Sequence, residues 1–248
     1  MKRRRGGKRA LPGLALVLAF AAAGVVAGVR YGRMPTLPDL PDLPVGPGTP
    51  AEETTAPALS PAEAKAALAR LETLQVRPRD PKDGYSRDAF GQRWADVDRN
   101  GCDTRNDILA RDLVDRETKP GTRGCVVIAG TLHDPYTGRT LGFTKRDAQA
   151  VQIDHVVSLS NAWQTGAQAL DPERRTALAN DPDNLLAVDG PTNEAKGDSD
   201  AAGWLPPDPR YHCALVARQI AVKAEYGLWV TAEERSAMAR TLKGCVGR

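Results

Sequence analysis

The chain has 248 residues, of which 41 % are hydrophobic and 5 % aromatic, and it carries 34 Lys and Arg against 31 Asp and Glu. This composition is that of an ordinary globular protein, and it excludes a collagen-like, intrinsically disordered or polytopic membrane protein. The first nine residues hold six of the basic side chains and no acidic one, which leaves 28 basic against 31 acidic residues in the rest of the chain. Global charge therefore gives no support to nucleic-acid binding, which would need a local site.

An uncharged run, residues 11–29, follows the basic start. A basic start, an apolar stretch and small residues at Ala21, Ala23 and Ala27 are typical of a signal peptide. An uncleaved membrane anchor fits as well, since such a helix at ~1.5 Å per residue spans roughly the ~30 Å of a bilayer core. Under either interpretation of residues 1–30, we expect the remainder to be extracellular or anchored to the outer face of the cell membrane.

Prolines punctuate residues 31–59, which show no helical or alternating pattern and are interpreted as an extended linker. A single folded domain is expected over residues 60–248. It begins with a capping box from Ser60 to Glu63, with Pro61 at the first helical position.

The patterns along this domain predict an α+β fold with more helix than strand. In chain order, the predicted elements are a helix from Pro61, a helix at 104–113, strands at 126–132 and 140–143 joined by an Asp-Pro-Tyr-Thr-Gly turn, a strand at 151–155, a helix from 172, a strand at 184–188, and helices at 211–226 and 231–242.

The domain contains four cysteines, Cys102, Cys125, Cys213 and Cys245, and no C-x-x-C pair. An even number without that spacing favours two disulfides in an oxidising compartment over a zinc site. Three pairings are possible. We favour Cys102 with Cys125 and Cys213 with Cys245, because each pair closes a local loop.

Two segments combine side chains suited to metal-assisted proton transfer. The first is a predicted strand that ends in Asp154 and His155, and the second runs from Asn184 to a helix with Asn193 and Lys196. A neutral imidazole can accept a proton from water. Carboxylate and amide oxygens are ligands that suit Mg²⁺. Because Asn193 and Lys196 are three residues apart on a helix, we expect both at the site, with Lys196 contacting an anionic substrate.

These segments together resemble the ββα-metal core of the HNH endonucleases, also called the His-Me finger. Over residues 60 to 246 the chain is similar to secreted bacterial and fungal HNH-family proteins related to the nuclease domain of modification-dependent restriction enzymes. The resemblance implies that this core is embedded in a mostly helical single domain. It is carried, besides the two segments, by residues 100–109, 130–138, 153–163 and 195–198.

The resemblance implies a role for each matching residue. Asp154 and Asn193 would be the metal ligands, His155 the general base, and Asn184 would steady the loop after His155. Lys196 would assist phosphate binding. The expected activity is hydrolysis of phosphodiester bonds with a divalent ion, Mg²⁺ or similar, on DNA more than on RNA and with little sequence specificity.

Asp96, Asp98, Asn100 and Asp107 match the spacing of an EF-hand calcium loop, except that Asp replaces the final Glu. A Ca²⁺ site and a plain polar turn both fit this segment. Arg105, on the following predicted helix, is expected to contact DNA phosphates, to lie on a solvated face, or to form a salt bridge with Asp107 or Asp112.

A second class of function also fits the sequence, namely a non-catalytic cell-surface binding module that keeps the ββα core as a scaffold. A third is an exported hydrolase acting on another phosphodiester or on the cell wall. Chemically competent residues at all four motif positions favour the nuclease. Nucleic acid is then the expected partner, the membrane is a partner only through an uncleaved N-terminal segment, and the domain is expected to be a monomer.

Overall fold

The computed structural model describes residues 59–247; the predicted signal or anchor segment and almost all of the linker lie outside them. In this range no helix combines the length and apolar character needed to cross a membrane. The helices are Pro61–Thr73 (α1), Thr104–Asp112 (α2), Leu159–Gln164 (α3), Pro172–Asn180 (α4), Gly190–Lys196 (α5), His212–Glu225 (α6) and Ala232–Val246 (α7), and the strands are Leu113–Thr118 (β1), Val127–His133 (β2), Thr140–Thr144 (β3), Val151–His155 (β4) and Leu185–Asp189 (β5).

The strands form two small antiparallel sheets, so the α+β class is confirmed. One sheet has the order β1-β2-β3, and the other consists of β4 and β5. In the second sheet Val151 pairs with Asp189 and His155 with Leu185. Helices α3 and α4 lie between these two strands in the chain, whereas β5 continues directly into α5. The chain thus places two paired strands and a helix side by side, with a helical insertion between the strands.

The predicted capping box starts α1. The backbone N–H of Glu63 donates to Ser60 Oγ at 3.3 Å, and the Glu63 carboxylate accepts from the Ser60 N–H at 2.8 Å. These bonds satisfy backbone donors that a helix start would otherwise leave unpaired. The buried face of α1 packs against α6 and α7.

The β4–β5 sheet is buried on both faces. Successive side chains of a strand point to opposite faces; accordingly, Leu185 and Ala187 lie in one apolar cluster with Phe143, whereas Leu186 and Val188 lie in another. All five residues of β5 are buried. This two-sided packing gives β4 a fixed position from which Asp154 and His155 project.

Both disulfides are present in the favoured pairing, Cys102 with Cys125 and Cys213 with Cys245. The first ties the loop before α2 to the segment before β2. The second links α6 to α7 in a small cluster with Ala64 of α1.

We expect the double variant Cys213→Ala, Cys245→Ala to unfold with a free energy about 3 to 4 kcal/mol lower than the wild type. The disulfide closes a loop with a sequence separation of 32, and chain-entropy arguments assign about that much to a loop of this length. Urea denaturation of oxidised proteins measures the difference. The Cys102→Ala, Cys125→Ala variant should lose a similar amount, because its loop, with a separation of 23, is only slightly shorter. Unchanged unfolding in both variants would contradict the expectation.

Candidate active site

An open cleft of about 810 Å³ lies at the end of the β4–β5 sheet. Its walls come from the segment 85–94, the start of α2, β4, α3 and α5, and among its lining residues are Asp154, His155 and Asn193. The structure therefore brings the predicted base and both predicted metal ligands to one concave surface. Concave sites where a few polar groups converge are the usual place for ligand binding and catalysis.

The His155 ring is held in one tautomer. Its Nε2 lies 2.8 Å from the carbonyl oxygen of Ala179, at the end of α4. A carbonyl can only accept a hydrogen bond, so Nε2 carries the proton of the neutral ring and Nδ1 keeps a lone pair. Burial lowers the pKa of His155 to about 4, against the opposing effects of Ala179 and Asp154. The ring is thus neutral at pH 7, the form that a general base requires.

Trp94 packs beside this imidazole. The two rings are nearly parallel, 14° apart, with centroids separated by 6.4 Å. Trp94 has a backbone φ of 56°, a conformation that bulky residues seldom adopt. Hydrogen bonds fix the next residue, Ala95, whose N–H donates to Asn180 Oδ1 at 2.9 Å and whose carbonyl accepts from Thr104. Trp94 therefore covers one side of His155 from a backbone that is tied down.

Asp154 is almost fully buried and has two hydrogen-bonding partners. Lys196 Nζ lies 2.9 Å from its Oδ1, and the Tyr136 hydroxyl donates to its Oδ2 at 2.5 Å. Lys196 also donates to the carbonyl oxygen of His155 at 2.8 Å. The lysine side chain has no exposed surface and does not line the cleft. The predicted contact of Lys196 with a substrate phosphate is therefore wrong, because its ammonium group is buried behind Asp154.

Asn193 reaches the cleft from α5. Its Nδ2 donates to Gln152 Oε1 at 2.8 Å, and Gln152 Nε2 donates in turn to Glu194 Oε1 at 3.0 Å. Since the amide nitrogen is engaged, Oδ1 is the atom of Asn193 left to act as a ligand. Gln152 and Glu194 line the same cleft, so these bonds hold the Asn193 amide in one orientation on its wall.

The donors at the cleft fit a hard divalent ion. Asp154 supplies a carboxylate and Asn193 an amide oxygen, which are ligands for Mg²⁺, an ion that keeps several waters in its coordination shell. Within residues 59–247 there is no group of three or more His, Cys, Asp or Glu side chains placed to hold a metal. An ion at the cleft would therefore depend on these two oxygens together with water and substrate.

Asn184 is fully buried beneath the turn that follows β4. Its Oδ1 accepts from the Val157 N–H at 2.9 Å, and its Nδ2 donates to the carbonyl of Leu178 at 3.2 Å. Its own carbonyl accepts from the Val156 N–H at 2.8 Å. These are the contacts that the predicted role of Asn184 in steadying the loop after His155 requires, and that role stays a prediction.

Three arginines line the cleft: Arg87, Arg93 and Arg105. Of the three, only Arg105 has a phosphate contact among its sequence-based expectations, and its guanidinium lies 5.8 Å from the centre of the Phe143 ring. Burial lowers the pKa of Arg105, and Asp103 opposes this effect. Among the residues described, none of the three guanidinium groups is hydrogen-bonded to a carboxylate. The cleft therefore presents cations that an anionic ligand can reach.

The predicted calcium loop folds around Asn100. The Asn100 N–H donates to Asp96 and Asp98, each at 3.1 Å, and its Nδ2 donates to Asp98 at 2.9 Å and to Asp107 at 3.1 Å. Burial is the main cause that raises the pKa of Asp107. The loop's own amides thus satisfy these carboxylates, an arrangement expected of a polar turn. Calcium binding at this loop stays a prediction.

Two comparisons with known proteins show what the chain is similar to. A family model for the C-terminal domain of GmrSD restriction endonucleases matches residues 103–241, which include Asp154, His155, Asn184 and Asn193. An uncharacterized secreted protein of Arthroderma benhamiae is 39 % identical over 199 residues, which cover 79 % of this chain and 92 % of that protein. No solved structure matches the chain. The family match spans more than half of the sequence, and the chain therefore belongs to the family of GmrSD restriction endonuclease C-terminal domains.

Proposed function

We propose that the protein is an exported, metal-dependent endonuclease that hydrolyses phosphodiester bonds, with DNA as its substrate and little sequence specificity. The observation that carries the proposal is the neutral His155 ring, with an unprotonated Nδ1, which lines the same cleft as Asp154, Asn193 and three arginines. Membership of the family of GmrSD restriction endonuclease C-terminal domains supports a nuclease. We propose further that β4, β5 and α5 are the ββα-metal core of an HNH enzyme.

His155 acts as the general base in this proposal. Its Nδ1 takes the proton from an attacking water, while the bond from Nε2 to Ala179 keeps the ring in the required tautomer. Asp154 and Asn193 would hold a divalent ion, and the experiment below supplies Mg²⁺ as that ion. When bound, that ion supplies Lewis-acid stabilisation of charge on the phosphate and the leaving oxygen. Asn184 keeps the turn after His155 in place, and Lys196 holds Asp154.

Arg87, Arg93 and Arg105 supply the phosphate contacts. Residues 59–247 hold 25 Lys and Arg against 27 Asp and Glu, so these three positive charges are a local feature of the cleft. Contacts to phosphate oxygens carry no information about base sequence. Binding by such contacts releases counterions, so affinity falls steeply as salt rises. This accounts for cleavage with little sequence preference.

Export is supported by two features. The similar protein of Arthroderma benhamiae is named as secreted, and two disulfides are stable chiefly in oxidising compartments. We propose that residues 1–30 direct export, as a cleaved signal or as an anchor, that residues 31–59 are a linker, and that residues 60–248 act as a monomeric nuclease domain outside the cell.

The proposal can be tested by incubating the exported, oxidised protein with supercoiled plasmid and, separately, with a structured RNA. We expect nicking and then linearisation of the plasmid with Mg²⁺, slower cleavage of RNA, and a loss of cleavage with EDTA or with rising salt. Retention of plasmid on the protein without cleavage, in Mg²⁺ and in Mn²⁺, would instead support the non-catalytic binding module. Cleavage that EDTA leaves unchanged would contradict the metal-dependent mechanism.

A further inference from the structure

The turn between β2 and β3 is built around a buried carboxylate. Asp134 is 2 % exposed, and its Oδ2 accepts from the backbone N–H of Thr137 at 3.0 Å and from its hydroxyl at 2.5 Å. Side chains of Asp that bond to following backbone groups make compact, well-defined turns. Gly138 completes the turn with a φ of 68°, a conformation that residues with a Cβ rarely adopt.

The same carboxylate joins this turn to the β4–β5 sheet. Asp134 Oδ1 accepts from the backbone N–H of Asp189 at 3.1 Å, at the junction of β5 and α5. It also accepts from the Tyr136 N–H at 3.3 Å. The turn is therefore fixed relative to the helix that carries Asn193, although turn and helix belong to different parts of the chain.

Tyr136, inside this turn, is fully buried, and its ring packs edge-on against Trp204 with centroids 5.1 Å apart. Its hydroxyl donates to Asp154 Oδ2 at 2.5 Å. A carboxylate only accepts hydrogen bonds, so the hydroxyl is the donor in this pair.

The Tyr136 hydroxyl fixes the orientation of the Asp154 carboxylate, which Lys196 also binds. Lys196 binds Asp154 Oδ1 from behind the cleft. With Oδ2 unpartnered, the carboxylate would be free to rotate and present both oxygens to the ammonium group of Lys196. Each carboxylate oxygen has two lone pairs, so an oxygen held by Tyr136 or Lys196 can still bind a metal ion.

We infer that Tyr136 is a positioning residue of the metal site, which acts through Asp154 and holds its carboxylate in the orientation that binds the ion together with Asn193. This inference rests on the proposed function. Groups that hydrogen-bond to metal ligands set the orientation of those ligands, and their loss typically weakens metal binding by roughly 10-fold to 100-fold.

Mn²⁺ titration of Tyr136→Phe tests this role, with Tyr211→Phe as the matched control. The ring centroid of Tyr211 lies 6.1 Å from that of Tyr136, but Tyr211 makes no hydrogen bond to Asp154. Relative to the wild type, we expect roughly 10-fold to 100-fold weaker Mn²⁺ binding in Tyr136→Phe and unchanged binding in Tyr211→Phe. The Mg²⁺ concentration for half-maximal plasmid cleavage should rise by the same factor, with the rate restored by excess Mg²⁺.

Wild-type Mn²⁺ affinity in Tyr136→Phe would overturn the inference, as would a cleavage defect that excess Mg²⁺ leaves in place. If the wild-type protein itself neither binds Mn²⁺ nor cleaves plasmid, the proposed function fails, and the inference fails with it. A second measurement avoids dependence on the folding of the variant. In wild-type protein labelled at tyrosine Cζ, Mg²⁺ should shift the NMR signal of Tyr136 and leave that of Tyr211 in place; an unshifted Tyr136 signal would overturn the inference.

Discussion

Replacement of Lys196 by Met is expected to lower the free energy of unfolding by about 3 to 5 kcal/mol. The lysine side chain is 0 % exposed and its ion-pair partner, Asp154, is 5 % exposed. Without the ammonium group, a charged carboxylate stays buried with only the Tyr136 hydroxyl as its partner, and a buried charge without compensation is strongly destabilising. Urea denaturation at neutral pH measures the loss.

Lys82→Met is the matched control for this variant. Its ammonium group pairs with Asp198 at 3.0 Å, with both side chains about half exposed. Exposed pairs contribute little, so this variant should lose less than about 1 kcal/mol. The double variant Lys196→Met, Asp154→Asn should recover part of the stability, because it removes the uncompensated charge. Equal losses in Lys196→Met and Lys82→Met would contradict the burial of the Lys196–Asp154 pair.

The elements that sequence predicts well are those with local signals. Ser60 and Glu63 mark the start of α1 through their own hydrogen bonds, and the Asp134–Gly138 turn sets the limits of β2 and β3. In β5 every residue is buried, so its apolar run is continuous and the strand is readily recognised. Such signals depend on neighbours in the chain and need no knowledge of the tertiary structure.

The sequence does not predict strand β1, because this strand lacks such a local signal. It lies at the edge of its sheet, with Leu113 buried and the charged residues that follow exposed, so the alternation of apolar and polar residues that predicts a strand is absent. Its pairing with β2, from Leu113 opposite Leu132, creates the strand. That pairing is a tertiary contact which the local sequence does not encode.

The residues of the candidate site are likewise predicted by local sequence only in part, because tertiary contacts place the rest. Helical spacing predicts that Asn193 and Lys196 share a face of α5, but it does not reveal that the end of α5 packs against β4 and buries the lysine. Arg87, Arg93 and Trp94 come from a segment whose sequence has no regular pattern. Their presence in the cleft follows from packing of that segment against α4, which is bridged by the bond from Arg175 to Ala89.

His155→Ala is expected to reduce the rate of plasmid cleavage by roughly 10²-fold to 10⁴-fold, the usual contribution of a general base. Mn²⁺ affinity should stay near that of the wild type, because His155 is not a proposed ligand. The unfolding free energy should fall by about 1 kcal/mol, through loss of the bond to Ala179. His133→Ala is the control, since His133 lies outside the cleft and bonds to Thr140 at 3.3 Å.

The initial rate of plasmid nicking at saturating Mg²⁺, compared among the wild type, His155→Ala and His133→Ala, is the most direct test of catalysis at this cleft. We expect EDTA-sensitive nicking by the wild type and by His133→Ala, and a rate at least about a hundredfold lower for folded, metal-binding His155→Ala. A wild-type rate of nicking by His155→Ala would contradict the assignment of His155 as the base and of this cleft as the catalytic site.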